Sequence, residues 1–151
     1  MATTITNTVL GSPLGSGTVS QDASTADVGL CVLAQSKTIS KSTTGTVTFS
    51  SIVYLPPYSQ IVDIIIDPLV AWDSGTSAGL TVGTAAAGTQ YASSTDMKTA
   101  SARSSPTFTL AQLAAMVSVG TTTTVYITMA QVGTTTAGSC QVTILYVQNP
   151  V

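Results

Sequence analysis

"IVDIIIDPLVAWDSG", Ile61 to Gly75, is the most apolar run of the chain, and how it is read decides the fold. Its β-branched residues alternate rather than recur at helical spacing, so it reads as a strand. Val62, Ile64 and Ile66 fall on one side of that strand, and Ile61, Asp63, Ile65 and Asp67 on the other. The first set predicts a core face. The second predicts a partly exposed or intersubunit face, where carboxylates also discourage unwanted strand pairing. At about 3.3 Å per residue the two aspartates stand roughly 13 Å apart, beyond the spacing of about 5 to 9.5 Å that paired carboxylates of glycoside hydrolysis use. They are structural charges on this reading.

Outward from that strand the same pattern repeats. "VGLCVLA" places Val28, Leu30, Val32 and Ala34 on one face, and "TGTVTFSSIVYL" alternates around Val47 and Phe49. "TTVYITMAQV" groups Val125, Ile127 and Met129, and "CQVTILYVQ" groups Val142, Ile144 and Tyr146. Turn-like clusters separate them, among them "SKSTTG", "LPPYSQ", "WDSGTSAG", "AAAGTQ" and "VGTTTAGS". Six or more short strands with polar connectors predict an all-β chain, an antiparallel β-sandwich or jelly roll. One segment differs. In "TLAQLAAM", Thr109 and Gln112 have the spacing of a capping box, and Leu110, Leu113 and Met116 or Val117 share a helical face. A short helix covering a sheet face or edge is expected there.

The first 26 residues, "MATTITNTVLGSPLGSGTVSQDASTA", mix Gly, Ser, Thr and Pro with scattered apolar residues, too few to offset ordering entropy alone. Residues 1–26 read as an extended arm and 27–151 as one sandwich domain. The arm is either a disordered tail or a strap that orders on a neighbouring subunit; in the second case Thr3, Ile5, Val9, Leu10 and Leu14 are its contact candidates.

Composition narrows the function. Only 7% of the 151 residues are charged, against about 25% in a soluble domain, so little repulsion holds copies apart and the surface reads as one covered by neighbours. Four basic residues, Lys37, Lys41, Lys98 and Arg103, and a net charge of −2 build no positive stripe for a phosphate backbone, so no direct nucleic-acid partner is expected. The start carries no signal-peptide pattern and no window has the length of a membrane span, so neither export by that route nor a membrane partner is expected. Cys31 and Cys140 could form one disulfide, but without a secretory signal two thiols packed as small apolar groups are the simpler reading.

Catalytic chemistry finds few components. Histidine, the commonest general base, and glutamate are both absent. No S-x-x-K occurs; "TDMK" is the nearest approach. "GSGTVS" imitates a dinucleotide loop but follows no strand. Asp73 or Asp96 could join loop carbonyls around a calcium-like ion, yet no D-x-D-x-D spacing exists. No enzyme activity, cofactor or metal is expected. Trp72 reads as a lid on the core beside a strand-ending turn; the sharper possibility is that Trp72, with Tyr54 or Tyr58, anchors a protein contact or stacks on sugar.

"SGTSAGLTVGTAAAGTQYASSTDMKTA", followed by "PTFTLAQLAAM" and "GSCQVTILYVQNP", resembles tailed-bacteriophage head decoration or cement proteins, over about Ile52 to Asn149. The resemblance implies a compact β-sandwich on the outer surface of the virion, commonly a homotrimer, that clamps neighbouring subunits of the major capsid protein and performs no catalysis. Where that family carries a basic residue after "KTA", this chain has Ser101-Ala102-Arg103. The alternative function is a receptor- or carbohydrate-binding β-sandwich module of a tail fibre or cell surface, resting on Trp72 and the tyrosines around "LPPY".

Overall fold

The computed structural model describes residues 31–41, 43, 45–121 and 123–148. The arm, with Thr3, Ile5, Val9, Leu10 and Leu14, lies outside the described residues, as do Val28 and Leu30. Among the described residues seven strands and one helix follow in chain order: β1 (Val32–Ser40), β2 (Val47–Tyr54), β3 (Gln60–Val70), β4 (Ser77–Gly83), β5 (Ala92–Asp96), α1 (Leu110–Met116), β6 (Thr124–Val132) and β7 (Ser139–Val147). They form two antiparallel sheets, ordered β1-β7-β3 and β2-β6-β4-β5. The all-β sandwich with one short helix is therefore what the chain adopts.

The central strands β6 and β7 show why alternation specifies this fold. Val125, Ile127 and Met129 from one sheet meet Cys140, Val142, Ile144 and Tyr146 from the other, all buried in one apolar core. Val53, Leu80, Val82, Ile64 and Ile66 are among the residues that extend it. Serine and threonine do on the outer faces what charges do in most soluble sheets. Ser36 pairs with Thr143 at 2.8 Å, Ser40 with Ser139 at 3.0 Å and Ser50 with Thr128 at 2.7 Å, hydroxyl to hydroxyl across neighbouring strands.

Two expected faces are corrected. On β3 the ladder to β7 slips between Ile61 and Asp63, and this bulge changes the parity of the strand. Ile61 turns into the core and Val62 turns out, 47% exposed, while Ile64 and Ile66 stay buried as expected. On β1 the face carrying Val32 and Ala34 is exposed; Ile39, of the opposite parity, is the strand's buried side chain. The reason is position: among the described residues β1 is an edge strand hydrogen-bonded to β7 alone.

The strands define two ends. At one, here the near end, β1 and β3 begin, β2 and β7 finish, and residues 55–59 connect Tyr54 to Gln60. The 84–91 connection and α1 also lie there, since the Gln112 Nε2 donates to Thr89 O at 2.9 Å and Val119 N–H to Ser59 O at 2.9 Å. At the far end the described residues between β1 and β2 pack with the connections 71–76 and 133–138. Lys41 N–H bonds Gly138 O at 2.9 Å, and Gly75 N–H bonds Thr134 O at 3.0 Å.

Candidate functional site: an apolar end capped by a helix

The helix forms as its cap predicts. Thr109 Oγ1 accepts from Gln112 N–H at 3.3 Å and Gln112 Oε1 accepts from Thr109 N–H at 2.9 Å, closing the capping box. Its orientation is not the expected one. Gln112 is buried, and its amide donates to Thr89 O and to Ser93 Oγ, both at 2.9 Å. One polar side chain thus caps the helix and ties it to the 84–91 connection. With Gln112 turned inward, Met116 and Ala115 reach the core, while Leu110, at 86% exposure, Leu113 and Val117 point away from the molecule. A buried amide with all its hydrogen bonds made is stable where a buried amide without them is not, and that settled which face went in.

The adjoining 55–59 connection adds to this stripe. Tyr58 sits at φ +60, a left-handed backbone that costs a non-glycine residue about 1–2 kcal/mol. It is held there by its N–H to Gly120 O at 2.7 Å and by Ser59 Oγ to Pro56 O at 2.7 Å. The ring stays 43% exposed. Among the described residues, nine of the twelve exposed large apolar side chains lie in the near half: Val32, Leu33, Ile52, Tyr54, Tyr58, Val62, Leu110, Leu113 and Val117. They come from β1, β2, β3, the 55–59 connection and the α1 region, so both sheets and the helix contribute apolar surface to this half.

Charge is distributed the opposite way. Among the described residues Lys41, Asp73, Asp96 and Lys98 occupy the far end; Asp67, opposite Gln141, and Lys37, opposite Val142, lie in the far half of their strands. Asp73 accepts from Thr136 N–H at 2.7 Å, Ala137 N–H at 2.9 Å and the Thr136 hydroxyl. The Ala137 bond first, and then those from Thr136, hold its carboxyl down at about 2, from an ordinary 3.8. Asp96 is lowered too, chiefly by Lys98 N–H and then by the Thr99 hydroxyl.

Asp63 and Asp67, the two aspartates of β3, are staples. Asp67 takes Arg103 through Nε at 2.5 Å and a second guanidinium nitrogen at 3.1 Å. Asp63, among the described residues the one charge in the near half, accepts from Ile64 N–H at 2.8 Å and from the Ser105 hydroxyl. Between them Ser104 and Ile66 exchange backbone hydrogen bonds of 2.8 and 3.0 Å. Both side chains point away from the core, as alternation predicts, and together they fasten residues 103–105 along β3.

Trp72 belongs to the interior. It is 1% exposed, its indole N–H reaches Gln131 Oε1 at 3.4 Å, and Gly138 packs against its ring. The lid reading is the correct one; as a protein-contact candidate, or a platform for sugar, Trp72 is corrected by burial. Tyr58 and Tyr54 remain exposed. Cys31 is exposed and Cys140 buried, both as free thiols, and burial pushes Cys140 up to about 12.

A shallow groove of about 370 Å³ runs beside α1, lined by Thr89, Gln90, Ser93, Thr109, Ala111, Gln112 and Ala115. None of these side chains titrates in the physiological range, so the groove offers shape and hydrogen bonds rather than acid–base chemistry. Among the described residues no three of His, Cys, Asp and Glu gather as metal ligands, and no helix is long and apolar enough to cross a membrane.

No protein-family model and no curated protein matches the chain. Among solved structures it is similar to a chain of the Cyanophage Pam1 capsid asymmetric unit, with a TM-score of 0.64 and 19% identity over 98% of this chain and 99% of that one. The acid-stable capsid of Helicobacter pylori bacteriophage KHP30 contains a second similar chain, with a TM-score of 0.44 and 8% identity over 76% of this chain and 94% of that one. What the Pam1 likeness establishes is a shared fold.

Proposed function

We propose that this protein is a virion structural protein that decorates the outer surface of a phage capsid as a homotrimer, its near end seated on subunits of the major capsid protein. The observation that carries this reading is the separation of surfaces: exposed apolar side chains gather at one end, and charged groups lie almost wholly toward the other. A molecule so divided has one face to hide and one to leave in water. The shared fold with a Pam1 capsid chain adds support, and so does the sequence resemblance to decoration proteins. Stabilisation would come from added burial. Each copy bridging two shell subunits adds an interface, of about 1,000 Å² or more if specific, that must break before the shell opens.

The test is cosedimentation of the purified protein with capsids of its own phage that lack it. The parent protein is expected to bind saturably, and Leu113→Asp with Val117→Asp to weaken binding at least about 100-fold, because both would bury an unpaired carboxylate. These side chains are exposed in the isolated protein, so a matching unfolding midpoint separates lost docking from lost folding. A parent that fails to bind, or a double variant that binds equally well, overturns the assignment.

A further inference from the structure

The four sheet edges are not alike. The edge at β3 is blunted in every way available to a strand: its ladder to β7 slips twice, Pro68 sits within it, Asp63 and Asp67 lie along it, and Ser104 already pairs with Ile66. The edge at β5 is five residues long, ends in Asp96, and joins β4 through a register shift. On the opposite side of the sandwich β1 and β2 are nine and eight residues long, regular throughout their ladders to β7 and β6, free of proline, and carry one charge between them, Lys37. β1 is also the least covered strand, with Ile39 alone buried and Val32 and Leu33 exposed. A long, flat, nearly uncharged edge is a template for another strand.

We infer that the edge of β1, open among the described residues, is completed by residues Thr3–Leu10 of a second copy. "TITNTVL" with its preceding threonine is uncharged, rich in β-branched residues and matched in length to β1. Extended beside β1, Ile5 and Val9 share one face, which would prolong the apolar cover past Leu33 and the partly buried Phe49. Twenty-one residues, Gly11 to Cys31, join this segment to β1. A hairpin partner in the same copy would be joined by about 2–5 residues; a Gly- and Ser-containing link of this length has a reach of roughly 25 Å, suited to a neighbour. The inference deepens the virion reading by naming which part of one copy holds another.

Hydrogen exchange and light scattering on the isolated full-length protein test it without any capsid, so failure here leaves shell binding untouched and failure to bind shells leaves this result standing. The expected result is an oligomer in which the β1 amides not donated to β7 exchange at least about 100-fold slower than in Thr6→Pro, which removes a strand N–H outside the sandwich. A synthetic peptide of residues 3–10 should restore that protection to Thr6→Pro. Equal, fast exchange in parent and variant overturns the inference, as does protection in a particle of single-chain mass, where each arm would pair with its own β1.

Discussion

Tyr58 keeps an exposed ring on a backbone conformation that the fold does not favour. Its backbone is left-handed while its ring is half in water, a combination that stability does not favour. Tyr58→Gly is expected to leave the unfolding midpoint unchanged or to add up to about 1 kcal/mol by relieving strain, while capsid binding falls; paired urea titration and cosedimentation measure both. Gly138 has the opposite character. A Cβ there would lie 2.4 Å from Trp72 Cδ2, on a backbone at φ +156, so Gly138→Ala should cost about 2–3 kcal/mol in urea unfolding by forcing the indole aside. Asp73 sets an acid limit. Its carboxyl is held at about 2 against an ordinary 3.8, so the contribution of its hydrogen bonds is complete above pH ~4 and is lost as pH falls toward 2. Urea midpoints across that window should fall in the parent and fall less in Asp73→Asn.

At the level of elements, α1 depends on one side chain. Gln112 accepts from Thr109 N–H and donates to Thr89 O and Ser93 Oγ, so Gln112→Ala removes half a capping box and leaves those polar groups with a partner fewer. The expected cost is about 2–3 kcal/mol, read as a lower urea midpoint at unchanged slope. The capping box itself was legible in "TLAQLAAM", and so was the helix. The face it buries was not, because a 3.6-residue period ranks Leu110 and Leu113 as inward and knows nothing of a carbonyl at Thr89 waiting for a donor. β3 teaches the same lesson. Strict alternation places Val62 in the core, and a bulge that depends on β7 places Ile61 there instead.

On the scale of the whole molecule, docking through the near end implies weak sensitivity to salt. Asp63 is the charge on that half among the described residues, and its carboxylate is already engaged by Ser105 and Ile64. Capsid affinity measured from about 0.05 to about 0.5 M salt should change less than about threefold, where an interface built on surface ion pairs would lose far more. A steep decline would point instead to the far end, with Lys41, Asp73, Asp96 and Lys98, as the docking face. The candidate site was only half legible in advance: Tyr58 was singled out, and Trp72 read first as the core lid it is, but Leu110 and Leu113 were placed with Met116 or Val117 on one covering face, of which Met116 alone is buried.

Sequence alone determined the class of fold, the existence of each central strand, the helix with its cap, and the poverty of groups for acid–base chemistry, because period-two apolar patterning, cap spacing and composition act locally. Only the tertiary structure decided which sides became surface. Parity across a bulge, the partner of a buried amide and the exposure of an edge strand all depend on neighbours far away in the chain, and the division into an apolar end and a charged end is the sum of those long-range choices.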